Sequence, residues 1–288
     1  MKYELSQQNI CDWLNTLSYT QQASSMAYWG SRLPNVVNNY WSWTETYEQI
    51  YVATAGTYAT IPAIFTAPYG FKSTFSLDWS TLTSYLSWSG LRPMTEFEFE
   101  KSCRGNNGGG ATGTPNNPVP YEYPWGNTLI SENGLSNQGQ SSEYVNSIAD
   151  GWVNWSWNWP TRGGAAALAN TNRSQSGSTY YGIMDMGGNA YEQCIGGGSG
   201  YDYSGFTTAN GNALLNPSTA AANITGWPTV GGPSSGTVVR GGNSWSNSCS
   251  NPPYRCNTSD RQGYNGTVCG NDDNRYRNGT GGRGIRTF

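Results

Sequence analysis

Glycine and proline interrupt this chain too often for a long helix or strand to run through it. Among 288 residues there are 38 Gly and 14 Pro, positions that break helices, turn sharply or lack an amide donor. Short elements joined by turns must therefore carry the fold. The same chain holds 13 Trp and 20 Tyr but only 11% charged residues, against a usual share of about 25%. Large rings supply area to bury, which separates the chain from a disordered polyelectrolyte. Together these features predict an α+β, loop-rich globule with a substantial core.

Two absences narrow the chemistry. There is no histidine, which excludes Ser-His-Asp triads, Cys-His pairs, His-ligated zinc and His general bases. Met1–Tyr19 mixes Lys2, Glu4, Gln7, Gln8, Asn9 and Asp12 with its apolar residues, unlike a signal peptide, and no apolar run reaches the ~18 residues of a membrane span. A soluble chain without membrane insertion is expected. Seven Arg and three Asp fall in 240–288, so the net charge of −3 hides a basic tail. Those arginines are dispersed among Gly and Asn with no Lys cluster, so scaffold roles are expected and nucleic acid is not an expected partner. The six cysteines (Cys11, Cys103, Cys194, Cys249, Cys256 and Cys269) contain no C-x-x-C. Buried thiols or one or two disulfides are expected, with a pairing that spacing does not reveal.

Periodicity places several elements. Ile10, Trp13, Leu14 and Leu17 share one helical face within residues 4–17. Tyr-, Val-, Thr- and Ile-rich runs between residues 44 and 70 read as strands. Trp79, Leu82, Tyr85 and Leu86 predict a helix over 78–88, with Gly90 at its C′ position. Thr95 and Glu98 form a capping box opening a further helix that Gly105 ends. Residues 151–160 alternate Trp155, Trp157 and Trp159 with polar residues, which predicts a strand with one indole face. Short apolar runs follow at Tyr180–Met186, Thr237–Val239 and Gly284–Phe288.

Five segments occur in an order that resembles a known family: RPMTEFEFEKSCRG (Arg92–Gly105), YPWGN (Tyr123–Asn127), YGIMDMGGNAYEQC (Tyr181–Cys194), VVRGGNSW (Val238–Trp245) and GGRGIRTF (Gly281–Phe288). In order and spacing they resemble the formylglycine-generating-enzyme/sulfatase-modifying-factor domain. That resemblance implies a C-type-lectin-like fold of short helices on small twisted antiparallel sheets over residues 76–288, with residues 1–75 as an N-terminal extension. It also implies a structural calcium ion at the turn Asp185–Glu192. Asp185 and Glu192 would give side-chain oxygens, and Gly188 and Ala190 backbone carbonyls. The competing reading is that Glu192 orders the loop through backbone hydrogen bonds.

The family's oxidase activity needs two cysteines in a C-x4-C arrangement after R-G-G, because copper(I) wants two close thiolates. Here Cys249 and Cys256 are separated by six residues, including Pro252 and Pro253, so no catalysis is expected. Within the fold the chain most resembles the variable proteins of diversity-generating retroelements. Their last stretch, here about 240–288, is rewritten at adenines, and rewriting Asn codons does not produce Lys, Glu, Gln, Met or Trp. Residues 246–280 contain none of these except Gln262. The resemblance implies recognition of a protein or glycan on a target cell surface, with the chain on a virion surface or free in solution. The rigid rings of Tyr254, Tyr264 and Tyr276 suit a paratope, as do the adaptable Asn247, Ser248, Asn257, Asn265 and Asn274. Asp260 and Asp272 belong to the same patch, and Arg255, Arg261, Arg275 and Arg277 can anchor it. Two alternatives stay open: a formylglycine-generating oxidase using Cys249 and Cys256, and a carbohydrate-binding lectin using the Trp155–Trp159 row.

Overall fold

A computed structural model describes residues 1–27, 50–57, 60–75, 77–105, 119–132, 134–154, 159–196, 205–229, 231, 236–244, 253–261 and 279–287. These residues form a mixed α+β structure in which helices of eight to ten residues pack with small, mostly antiparallel sheets. Helix α1 (Gln7–Leu14) starts at a capping box between Ser6 and Asn9 and buries Ile10, Trp13 and Leu14. Helix α2 (Tyr19–Ala27) was not predicted, because its dock is polar. The Gln22 side-chain amide donates to Leu14 O and Ala63 O, and its oxygen accepts from the Ala63 N–H. A buried, fully satisfied amide of this kind leaves no apolar stripe to read.

Strands β1 (Tyr51–Thr54) and β2 (Ile64–Thr66) pair antiparallel within the predicted strand region. Helix α3 (Trp79–Trp88) begins where the Asp78 carboxylate accepts the Thr81 N–H at 2.6 Å. It is buried on nearly every face, as a central helix should be. Gly90 follows with φ +71°, the left-handed stop expected there. Short β3 (Arg92–Pro93) leads into α4 (Glu96–Arg104), whose Thr95/Glu98 capping box is present as predicted. A small hairpin joins β4 (Leu135–Ser136) to β5 (Tyr144–Val145).

The central sheet has the order β7-β6-β8. Fully buried β6 (Tyr191–Ile195) lies between antiparallel β7 (Thr237–Arg240) and parallel β8 (Thr280–Gly281). Strand β9 (Gly284–Ile285) pairs with β3. Leu5, Ile10, Trp13, Val52 and Phe65 share one core with Leu77, Trp79, Leu82, Leu86 and Ile195. The described residues of 1–75 therefore help to complete the main core.

The expected Trp-rich strand lies largely outside the described residues, and the turn-rich stretch beyond residue 177 is present. In residues 151–160, those described form no strand; Trp152 makes one bridge to Ser131 and is buried with Val153. Residues 155–158, with Trp155 and Trp157, lie outside the described set, and Trp159 is half-buried. The apolar run Tyr180–Met186 forms no strand or helix, as the turn-rich reading of this stretch expects, and residues 182 and 185 take positive φ. No helix among the described residues is long and apolar enough to cross a membrane.

Candidate functional site

Two neighbouring structures carry those predicted site residues that are described: the turn 185–192 and the tail segment 253–261. The turn depends on left-handed backbone at Asp185, Gly188 and Asn189, with φ of +58°, +76° and +62°. At Gly188 a Cβ would lie 2.3 Å from Val153 and 2.5 Å from the Asn154 carbonyl, so only glycine fits. Asn189 is buried and fully engaged. Its oxygen accepts the Thr161 N–H at 2.8 Å, and its amide donates to Glu4 and Ser73.

Arg283 holds the turn's charges. Its guanidinium donates to Glu192 Oε1 at 2.6 Å and to the Asp185 carbonyl at 3.1 Å. Asp185 Oδ2 accepts the Gly164 N–H at 2.6 Å. Burial pushes the Glu192 carboxyl up to about 7 against the pull of Arg283, and the nearby Asp185 charge adds to the rise. Burial also raises Glu4 and Asp185. Of the predicted calcium ligands, Asp185 and Glu192 are thus brought together, but around a guanidinium. Of the side-chain oxygens predicted for calcium, Glu192 Oε1 is taken by Arg283, whereas the Asp185 carboxylate is held by the Gly164 N–H. Among the described residues no group of three or more His, Cys, Asp or Glu is arranged to hold a metal.

The tail segment sits on α4 and the Tyr123–Asn127 turn. Arg240, at the end of β7, is buried against the Phe99 ring and pairs with Glu96 at 2.9 Å. Its second nitrogen donates to the Thr258 carbonyl. The Thr258 N–H donates to the Glu122 carbonyl at 2.9 Å, and Arg104 bridges Glu122 and Ser259. Cys256 packs with Tyr123, Trp125 and Val153, where the two rings stack at 4.8 Å. A Cβ at Gly242 would lie 2.8 Å from the Cys256 sulfur, so the R-G-G segment lets β7 end directly under this residue.

This clamp sorts the predicted ligand contacts. Tyr254 is 46% exposed, and Ser259 and Arg261 also face solvent. Asn257 is buried, and Asp260 is half-buried 3.7 Å from Arg255. Neither Asn257 nor Asp260 faces outward as a patch residue would. Arg261, expected as a ligand anchor, pairs with Glu100 at 2.8 Å and approaches Glu96 at 3.4 Å. Asn247, Ser248, Tyr264, Asn265, Asp272, Asn274 and Tyr276, with Arg275 and Arg277, lie outside the described residues. Linear pattern alone does not mark Glu96, Glu100 and Arg240 as anchors. Their signal was present as two acids four residues apart on α4 facing a basic tail.

Cys249, half of the oxidase candidate pair, also lies outside the described residues. Cys256 is free and buried, and burial, with Asp260 adding to it, raises its thiol far above the ordinary range. A thiol held protonated in this way is a poor metal ligand or nucleophile at neutral pH. No family model matches the chain, and no curated protein matches it in sequence.

Proposed function

We propose that this chain is a ligand-recognition protein of the retroelement variable-protein type, built on a C-type-lectin-like fold of the formylglycine-generating-enzyme class and lacking catalysis. The observation that carries the reading is the division within residues 253–261. Arg240, Cys256, Asn257 and Thr258 are buried beneath, while Tyr254 and Ser259 are exposed above. A surface fixed from below can change its outward side chains without loss of the fold. Its ligand is a protein or glycan on a target cell, and the chain acts from a virion surface or in solution. Calcium enters this proposal only as a competitor of Arg283 for Glu192, and a calcium-induced rise in Tm that Arg283→Met enlarges would be its signature.

The direct test compares the DNA encoding residues 240–288 with its genomic surroundings. An adenine-biased near-repeat beside a reverse-transcriptase gene is the expected finding, with differences at the codons for Tyr254 and Ser259 and none at those for Arg240 and Cys256. A unique tail sequence with no such repeat overturns the retroelement reading.

A further inference from the structure

A cavity of about 540 Å³ opens where the N-terminal segment crosses the start of α1, lined in part by Lys2, Ser6, Asn9, Ser73, Ser141 and Arg162. Its volume is in the range of small-molecule sites, roughly 300–1,000 Å³. It includes none of residues 253–261, so it is independent of the recognition surface proposed above.

The lining presents hydrogen-bond donors that the fold leaves without acceptors. Arg162 is fixed by its Nε, which donates to the Glu143 carbonyl at 2.6 Å, and by its backbone N–H, which donates to Glu143 Oε1 at 2.7 Å. The Glu143 carboxylate is itself neutralised by buried Lys72 at 2.8 Å. The terminal nitrogens of Arg162 make no ion pair or hydrogen bond among the described residues. Asp185 feels the Arg162 charge without pairing to it. Lys2 is exposed, and its ammonium lies 5.5 Å over the Tyr3 ring with no carboxylate partner among the described residues. The Asn9 oxygen accepts the Ser6 N–H in the helix cap, leaving the Asn9 amide nitrogen without an acceptor among those residues. The exposed Ser141 hydroxyl also makes no bond among them. Glu4 borders the cavity as well, but Asn189 and the Ala190 N–H engage its carboxylate. The α1 N-terminus is not the attraction, since the Gln7, Gln8 and Asn9 amides already donate to Lys72 O, Gly70 O and Ser6 Oγ.

Two cations, an amide and a hydroxyl thus line one cavity, with the terminal nitrogens of Arg162 and the Lys2 ammonium unpaired among the described residues. That arrangement complements an acceptor-rich anion, because charge-assisted bonds from Arg and Lys to carboxylate or phosphate are the strong ones. We infer that this cavity binds a small hydroxylated oxyanion, with its charged group on Arg162 and Lys2 and its hydroxyls toward Asn9 and Ser141. The shared chemistry is the oxyanion, and a carboxylate or a phosphate monoester can supply it.

The test is calorimetric titration of the full chain with glucuronate, glucose 6-phosphate and neutral glucose at low salt. Saturable binding of at least one anion is expected, with none for glucose. The anion that binds more tightly identifies the source of the charge. Binding should weaken at least tenfold in the Lys2→Met/Arg162→Met double variant. Ser141→Trp, which alters an exposed side chain and obstructs the cavity, should weaken it similarly. No saturation by either anion, equal binding of glucose, or unchanged binding in a folded Ser141→Trp variant would overturn the inference.

Discussion

At the scale of single residues, several of the chain's few charges are buried as pairs. Lys72–Glu143, Arg240–Glu96 and Arg283–Glu192 are all buried pairs. A buried pair adds little over a well-packed apolar pair, but removing one partner leaves an uncompensated charge in the core. Arg283→Met should therefore lower unfolding stability by about 3–5 kcal/mol, measured by urea denaturation. Adding Glu192→Gln should recover part of that loss, so the double-mutant cycle should show strong coupling. The motif G-G-R-G carries this arginine in the sequence, whereas the resemblance implies calcium at Glu192. Which cation would meet a carboxylate depends on the crossing of distant segments, and that is not legible in a linear pattern.

At the scale of elements, local signals were readable wherever the physics is local. The Thr95/Glu98 cap, the Asp78–Trp88 helix and the Gly90 stop all follow from side chains within four residues of one another. Thr95→Ala should cost about 1 kcal/mol, read from the denaturant midpoint. The pH dependence of the same cap has a definite sign. Burial works to raise the Glu98 carboxyl, but the Arg92 fork and the Thr95 N–H and hydroxyl outweigh it and hold the group below its ordinary 4.5. Its contribution is therefore complete above pH 4.5 and is lost as pH falls through the lower folded value. The difference in Tm between the native chain and Glu98→Gln should shrink across that acid limb and vanish below it. By contrast, α2 and buried β6 escaped the reading. A Gln22 side chain docks one, and the other mixes Tyr, Glu, Gln, Cys and Ile within a strand buried throughout, so neither shows the alternation or stripe of a half-buried element.

The same scale governs the tail. Tyr254→Ala should change stability by no more than about 0.5 kcal/mol, as ordinary exposed substitutions do, and Ser259→Ala by up to about 1 kcal/mol because its hydroxyl accepts from Arg104. Arg240→Met should cost about 3 kcal/mol or more, because Glu96 loses its closest buried partner and Thr258 its tie. A chemical denaturation series on the three variants checks both halves. The sequence offered the whole tail as a candidate patch; only the packing of Cys256 and Thr258 separates the outward side chains from the supporting ones.

At the scale of the whole molecule, the N-terminal segment and the final strands hold each other. Leu5 donates its N–H to the Gly282 carbonyl at 2.9 Å, and Thr74 donates to Leu5 at 2.8 Å. With Trp13 and Trp79 in one core, calorimetry should show a single cooperative transition. A chain lacking residues 1–17 should lose that transition, whereas two independent transitions in the full chain would mean that the extension folds apart. Composition predicted a loop-rich α+β globule, but not that Glu4 and Leu5, so near the start, would be interior.

Lys72 has a practical consequence. The chain has three lysine side chains, of which Lys2 and Lys101 are exposed and Lys72 is sealed with Glu143 at the core. An acylating reagent should modify the first two at once and reach the third only when the surrounding core opens. The slow appearance of acyl-Lys72 in a peptide map would then time that opening, giving the protein a native clock for its own unfolding without an introduced probe.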